Sequence, residues 1–136
     1  MGRVVGVDYG DKRCGVAISD PLQIIASAHC VIVNTSMDRL VKEIVELCRD
    51  REAERVVVGW PLNMDGTEGP ATEKVRIFGS KLKAASDLPI AFWDERLSTR
   101  TAEAALIEAG TRRRKRKGIV DKVAAQIILQ HYLDAR

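Results

Sequence analysis

Four carboxylates in this chain stand where the surrounding residues are otherwise apolar or turn-forming. Asp8 closes a Val- and Gly-rich run, with Gly6 and Gly10 on either side. A lone Asp is a costly choice for a strand in the middle of a sheet, although Asp also opens turns by accepting from backbone amides. Asp94 and Glu95 directly follow the strand-like run Ile90–Trp93, at the edge where α/β folds place their ligands. Adjacent strand residues point to opposite faces, so one of the pair reaches a shared site while the other braces a basic side chain such as Arg96 or Arg100. Asp121 opens the last helical segment, where a carboxylate also complements the helix dipole. Ala124, Ala125, Ile128 and Tyr132 share its side of that helix, which sets the acid beside residues expected to pack on the sheet.

Acids at two strand ends and a helix start can converge on one hard cation or a closely spaced pair. Such a centre activates water and stabilises the leaving oxygen of an in-line phosphoryl displacement without a His or Cys nucleophile. Competing motifs are absent from the sequence: no G-x-S-x-G, no Walker loop, no Cys and His at catalytic spacing. Cys14, Cys30 and Cys48 are odd in number and set among apolar neighbours, with only His29 and His131 as further soft ligands. They are expected as buried small hydrophobes rather than a disulfide framework or zinc site. The metal is therefore expected to be magnesium or manganese.

The elements that must position these acids follow from periodicity. Arg3–Tyr9, Cys14–Ser19 and Ser27–Val33 are short β-rich runs joined closely enough to be antiparallel neighbours. From about Ser36 to Arg51 the apolar positions Leu40, Val41, Ile44, Leu47 and Cys48 switch to helical spacing, with Thr35 or Ser36 as N-cap. Arg55–Gly59 is a continuous β-branched run, the pattern of a parallel strand covered on both faces. A loop over Trp60–Pro70, a helix from about Ala71 to Ala85 and a strand over Pro89–Trp93 follow. A helix capped by Ser98 or Thr99 and ending near Gly110 comes next, then a last helix from about Ile119 to Ala135.

The order βββαβαβαα predicts an α/β protein with a ribonuclease H-like fold. Its five-stranded mixed sheet has three antiparallel then two parallel strands, with helices on both faces. An actin-like half-domain shares the opening. At 136 residues, 46% apolar and 30% charged, the chain is expected to form one domain over 1–136. Its short apolar runs, and a start without the layout of a secretory signal, predict a cytoplasmic protein without a membrane partner.

The formal charge is +3, and it would turn negative without the unbroken block Arg112–Lys117. The basic excess is a local phosphate-attracting segment, and Arg113, Arg114 and Arg116 are its candidate contacts. Lys12 and Arg13, in the turn after Asp8, suit the phosphates flanking a reacting one. Asn63, with Asp65, Gly66 and Thr67, lies in a loop at the same end of the sheet as the acids. Arg96 and Arg100 open a helix whose N-terminus can accept phosphate. Trp60 and Trp93 are expected in the core.

The stretches Gly6-Val7-Asp8-Tyr9-Gly10, Gly15-Val16-Ala17-Ile18-Ser19-Asp20, Val58-Gly59-Trp60-Pro61, Asp65-Gly66, Asp94-Glu95-Arg96-Leu97-Ser98-Thr99 and Asp121-Lys122-Val123-Ala124-Ala125 together resemble the YqgF family, also called RuvX. The match runs in order over nearly the whole chain. The resemblance implies a ribonuclease H-like nuclease whose three catalytic, metal-binding acids carry over onto Asp8, Glu95 and Asp121, and on that basis alone Glu95 is chosen over Asp94. It further implies maturation of the 5′ end of 16S rRNA in the bacterial cytoplasm, on ribosomal precursor particles; the family's older label is Holliday junction resolvase. Structured RNA is the favoured substrate and branched DNA the nearest alternative. An RNA-binding assembly factor without catalysis and an actin-like nucleotide-binding module, which would need a tight homodimer, are the readings from other classes. Monomer and homodimer both stand open.

Overall fold

The computed structural model describes residues 2–63, 65–94 and 113–136, the last stretch with side chains from Lys122 onward. Its elements are β1 (Arg3–Asp8), β2 (Arg13–Ser19), β3 (Ala26–Val33), α1 (Met37–Asp50), β4 (Ala53–Trp60), α2 (Pro70–Ser86), β5 (Ile90–Asp94) and α3 (Arg113–Asp134). The strands form one sheet in the order β3-β2-β1-β4-β5. β1 pairs antiparallel with β2 and parallel with β4, β2 pairs antiparallel with β3, and β4 pairs parallel with β5. This is the mixed sheet the sequence pattern predicts.

Strand alternation divides the core into two layers. Val5 and Val7 of β1, Cys14 and Val16 of β2 and Val56 and Val58 of β4 pack toward α1 and α2. Val4, Ala17 and Val57 pack toward α3. Val56, Val57 and Val58 are all fully buried because helices cover both faces, which is why β4 reads as a continuous β-branched run.

Ser36 caps α1, its Oγ accepting from the Arg39 amide at 3.2 Å. Leu40, Val41, Ile44 and Cys48 line the helix's buried face. Ile44 is fully enclosed, so Ile44→Ala would cost about 2–5 kcal/mol through lost transfer energy and the cavity left behind. Burial pushes the Cys48 thiol up to about 11, as suits an inert core cysteine. Cys14 is equally enclosed, whereas Cys30 is only half-buried. In α2, Pro70 occupies the first turn, where its missing N–H costs nothing. Asp87, in the left-handed region at φ 59°, ends that helix.

α3 lies across β1, β2 and β3. Its C-terminal half is tied to the start of β3: Gln130 Oε1 accepts from the Ala26 amide at 2.8 Å, and Gln126 Nε2 donates to the Ala26 carbonyl at 3.1 Å. The helix therefore runs antiparallel to β1. Its described span already starts at Arg113, ahead of Ile119, so most of the basic block is helical. Arg and Lys are strong helix formers, and their repulsion does not outweigh that propensity here. The helix expected from Ser98 or Thr99 to Gly110 lies outside the described residues. Among the described residues no helix is long and apolar enough to cross a membrane.

Candidate active site

The parallel strands bring the C-terminal ends of β1, β4 and β5 to one edge of the sheet, and with them Asp8, Trp60 and Asp94. β2 starts and β3 ends at this edge, with Asp8 opposite Gly15 and Arg13 opposite Val33. The β1–β2 turn between them is tightly held. A Cβ on Gly10 would fall 2.3 Å from the Arg13 carbonyl oxygen. Asn34 donates through Nδ2 to the Gly10 carbonyl at 2.8 Å and through its amide to Lys12 O at 2.9 Å.

Asp8 is half-buried and shares its strand face with Val4 and Gly6, the face that α3 covers. Arg13, two residues from Gly15, is on that face as well, while Lys12 is exposed in the turn. Asp94 is exposed and pairs with Trp60. Trp60 packs edge-on against Phe92 with ring centroids 4.9 Å apart, on the α2 side. Asp8 and Asp94 thus reach the same edge from opposite faces of the sheet.

Asp121 is two turns inside α3 rather than in its first turn, which holds no acid. Dipole capping therefore does not account for it. Ala124, Ala125, Ile128, Leu129 and Tyr132 are buried against the sheet, as the helical spacing predicts. Glu95, Arg96 and Arg100 lie outside the described residues, and for Asp121, Arg113, Arg114 and Arg116 only the helical backbone is described. Among the described residues no three acids, histidines or cysteines converge.

The loop after β4 is braced from within. Asn63 Nδ2 donates to Thr67 Oγ1 at 3.0 Å, and Asp65 Oδ1 accepts from the Thr67 amide at 3.0 Å and hydroxyl at 2.6 Å. Trp60 and Trp93 are half-buried rather than enclosed. Arg76 lies over the Trp60 ring at 5.4 Å, and Trp93 meets Tyr132 edge-on at 5.9 Å. Sequence reasoning misses a cleft of about 430 Å³ between the β1–β2 turn, this loop and the start of α2. At its rim Lys74 holds both carboxylate oxygens of Asp11, at 3.0 and 3.1 Å. Two residues so far apart in the chain leave no local spacing signal.

The family model described as "RuvX: Holliday junction resolvase" matches residues 2–135. A protein of Halothermothrix orenii named "Putative pre-16S rRNA nuclease" is 50% identical over 132 residues, covering 97% of this chain and 94% of its own. One of the same name from Syntrophomonas wolfei is 42% identical with the same coverage. Among solved structures, T. thermophilus RuvC in complex with Holliday junction substrate superposes with TM-score 0.62 at 19% identity, covering 100% of this chain and 96% of that one. The fowlpox virus Holliday junction resolvase does so with TM-score 0.59 at 16% identity, covering 98% and 99%. At such identities the structures share the ribonuclease H-like fold alone.

Proposed function

The chain belongs to the RuvX family and is a nuclease, and from that premise we propose that it is a metal-dependent hydrolase of the cytoplasm. Its substrate is pre-16S rRNA, processed at the 5′ end within ribosomal precursor particles, and Asp8, Glu95 and Asp121 are its catalytic acids. The position of Asp8 supports this most directly. It stands at the catalytic edge on the face that α3 covers, one strand repeat beyond the contact of Gly6 with Ala125 and Leu129. α3 runs back over β1 toward that edge, so position 121, one helical turn before Ala125, lies in the same direction. Asp94 faces the other way, which supports Glu95 as the second acid.

Carboxylate oxygens are hard donors that suit Mg²⁺ or Mn²⁺, and these three acids would hold the ion. A bound ion of this kind supplies charge neutralisation and an activated water for phosphodiester displacement. The protein's own groups position the nucleic acid. Arg13, on the face of Asp8, and Lys12 in the turn grip phosphates flanking the scissile one. Arg96 and Arg100, with Arg113, Arg114 and Arg116 on the first turns of α3, extend that grip along the strand. Asn63 shapes the neighbouring loop.

The test is cleavage of a 5′-extended 16S rRNA precursor and of a four-way DNA junction, with magnesium or manganese, by wild type and Asp8→Asn. Metal-dependent trimming of the RNA that is lost in the variant is expected. Cutting of the junction alone would make the chain a resolvase, the substrate that the family model's description favours. Binding to RNA without cutting would make it an assembly factor.

A further inference from the structure

Apart from Asn63, the residues lining the cleft beside the β1–β2 turn have no part in the chemistry derived above, yet the cleft opens at the catalytic edge. Its Gly10 wall lies two residues beyond Asp8, a reach of at most about 7 Å, on the side of the sheet that faces α2. We propose that this cleft seats the nucleoside next to the scissile phosphate and that Asp11 accepts a hydrogen bond from its 2′-hydroxyl, giving the enzyme a preference for RNA over DNA. The proposal rests on the nuclease reading.

The cavity, about 430 Å³, falls within the range of small-ligand sites. Tyr9, Pro61 and Pro70 give it flat apolar walls suited to a base. The Tyr9 ring is already held against Phe78, with centroids 4.9 Å apart, so this wall is in place before a ligand arrives. The charged and amide side chains are Asp11, Lys74 and Asn63. Asn63 gives one N–H to Thr67, and no other side-chain bond engages it among the described residues.

The chemistry of Asp11 selects the ligand group. An ionised carboxylate is an acceptor only, so it repels a phosphate oxygen and takes a hydroxyl donor. The 2′-hydroxyl is the donor that RNA carries and DNA lacks, and an acidic side chain on a ribose hydroxyl is also how dinucleotide sites read the sugar. Lys74 cancels the carboxylate's field toward the adjoining phosphate. Both partners are more than half exposed, at 53% and 65%, so the pair contributes little to folding and can re-partner with substrate.

The experiment measures binding by fluorescence anisotropy without divalent metal, so that affinity is read apart from cleavage. Probes are a labelled single-stranded oligoribonucleotide from the precursor's 5′ extension, its all-deoxy counterpart, and a series with a single 2′-deoxy sugar at successive positions. Wild type is expected to bind the RNA roughly tenfold more tightly than the DNA. One position should carry most of the difference, and Asp11→Ala should bind both polymers alike. Lys74→Ala, which leaves the carboxylate in place, is expected to weaken both polymers while keeping the preference. Equal binding of RNA and DNA by wild type, or a preference that survives Asp11→Ala, overturns the proposal while leaving the nuclease reading intact. Failure of wild type to bind either polymer, and to cut either once magnesium or manganese is added, overturns both.

Discussion

Gly6 and Leu129 set the height of α3 above the sheet: a Cβ built on Gly6 would fall 2.8 Å from the Leu129 Cβ, and 3.3 Å from the Ala125 carbonyl oxygen. Gly6→Ala must lift or slide the helix, because the atoms it meets are backbone and the rigid base of a side chain. The expected loss is about 1–3 kcal/mol, the usual range for overpacking, read as a lower urea midpoint with unchanged slope. Cleavage should fall further than folding stability alone explains, since the same displacement moves position 121 relative to Asp8. Equal activity per folded molecule would uncouple the helix from the site.

Opposite faces give Asp8 and Asp94 opposite fates on neutralisation. Asp8→Asn is expected to lower metal-dependent cleavage on the order of a hundredfold or more while leaving RNA binding near wild type. Asp94→Asn, on the exposed α2-side face, should stay within a few-fold of wild type. Turnover assays with both variants separate these outcomes, and a crippled Asp94→Asn would reverse the assignment of the second acid.

The helical start of α3 changes what the basic block can do. Carried on a helix, Arg113, Arg114 and Arg116 hold fixed spacing along one element rather than sampling it in a loop, which suits contacts to successive phosphates. Replacing all three by Gln should reduce the slope of log affinity against log salt by about 2 for single-stranded RNA, at roughly 0.7 for each phosphate that is no longer neutralised. Affinity at low salt should drop for every sequence alike. An unchanged slope would mean that these arginines stay solvated in the complex.

Much of this architecture is legible in the sequence because short β-branched runs and a helical spacing of apolar residues follow one another with turn residues between them. Val4 to Asp8 and Val56 to Val58 read as strands, and Leu40, Val41, Ile44 and Cys48 as one helical face. Asp8 stands out as a charge that the strand itself does not require. The start of α3 is harder to read, because Gly118 and a run of like charges resemble a break, whereas the helix runs on through both, with the propensity of Arg and Lys offsetting the cost of one glycine. The Asp11–Lys74 rim of the cleft is invisible to sequence patterns, which register neighbours in the chain, while this pair is joined only when α2 folds back beside the β1–β2 turn.

His29 couples stability to pH through β3, the strand at the sheet's edge. Its imidazole is half-buried at the irregularity where β3 slips register against β2. Burial, then the positive charges of Arg51 and Lys122, hold its pKa below the ordinary value of 6.5. In the window just below 6.5 the unfolded chain therefore binds more protons than the folded one, and stability falls as the pH is lowered. Asp20, held low by the Ile25 and Ile24 amides, and Glu54, held low by Gln23, lose their contributions only in the acid range below. Urea titrations from about pH 8 to about pH 5 should show a decline in wild type that is shallower in His29→Gln. A decline of equal steepness in the variant would place the titrating group elsewhere.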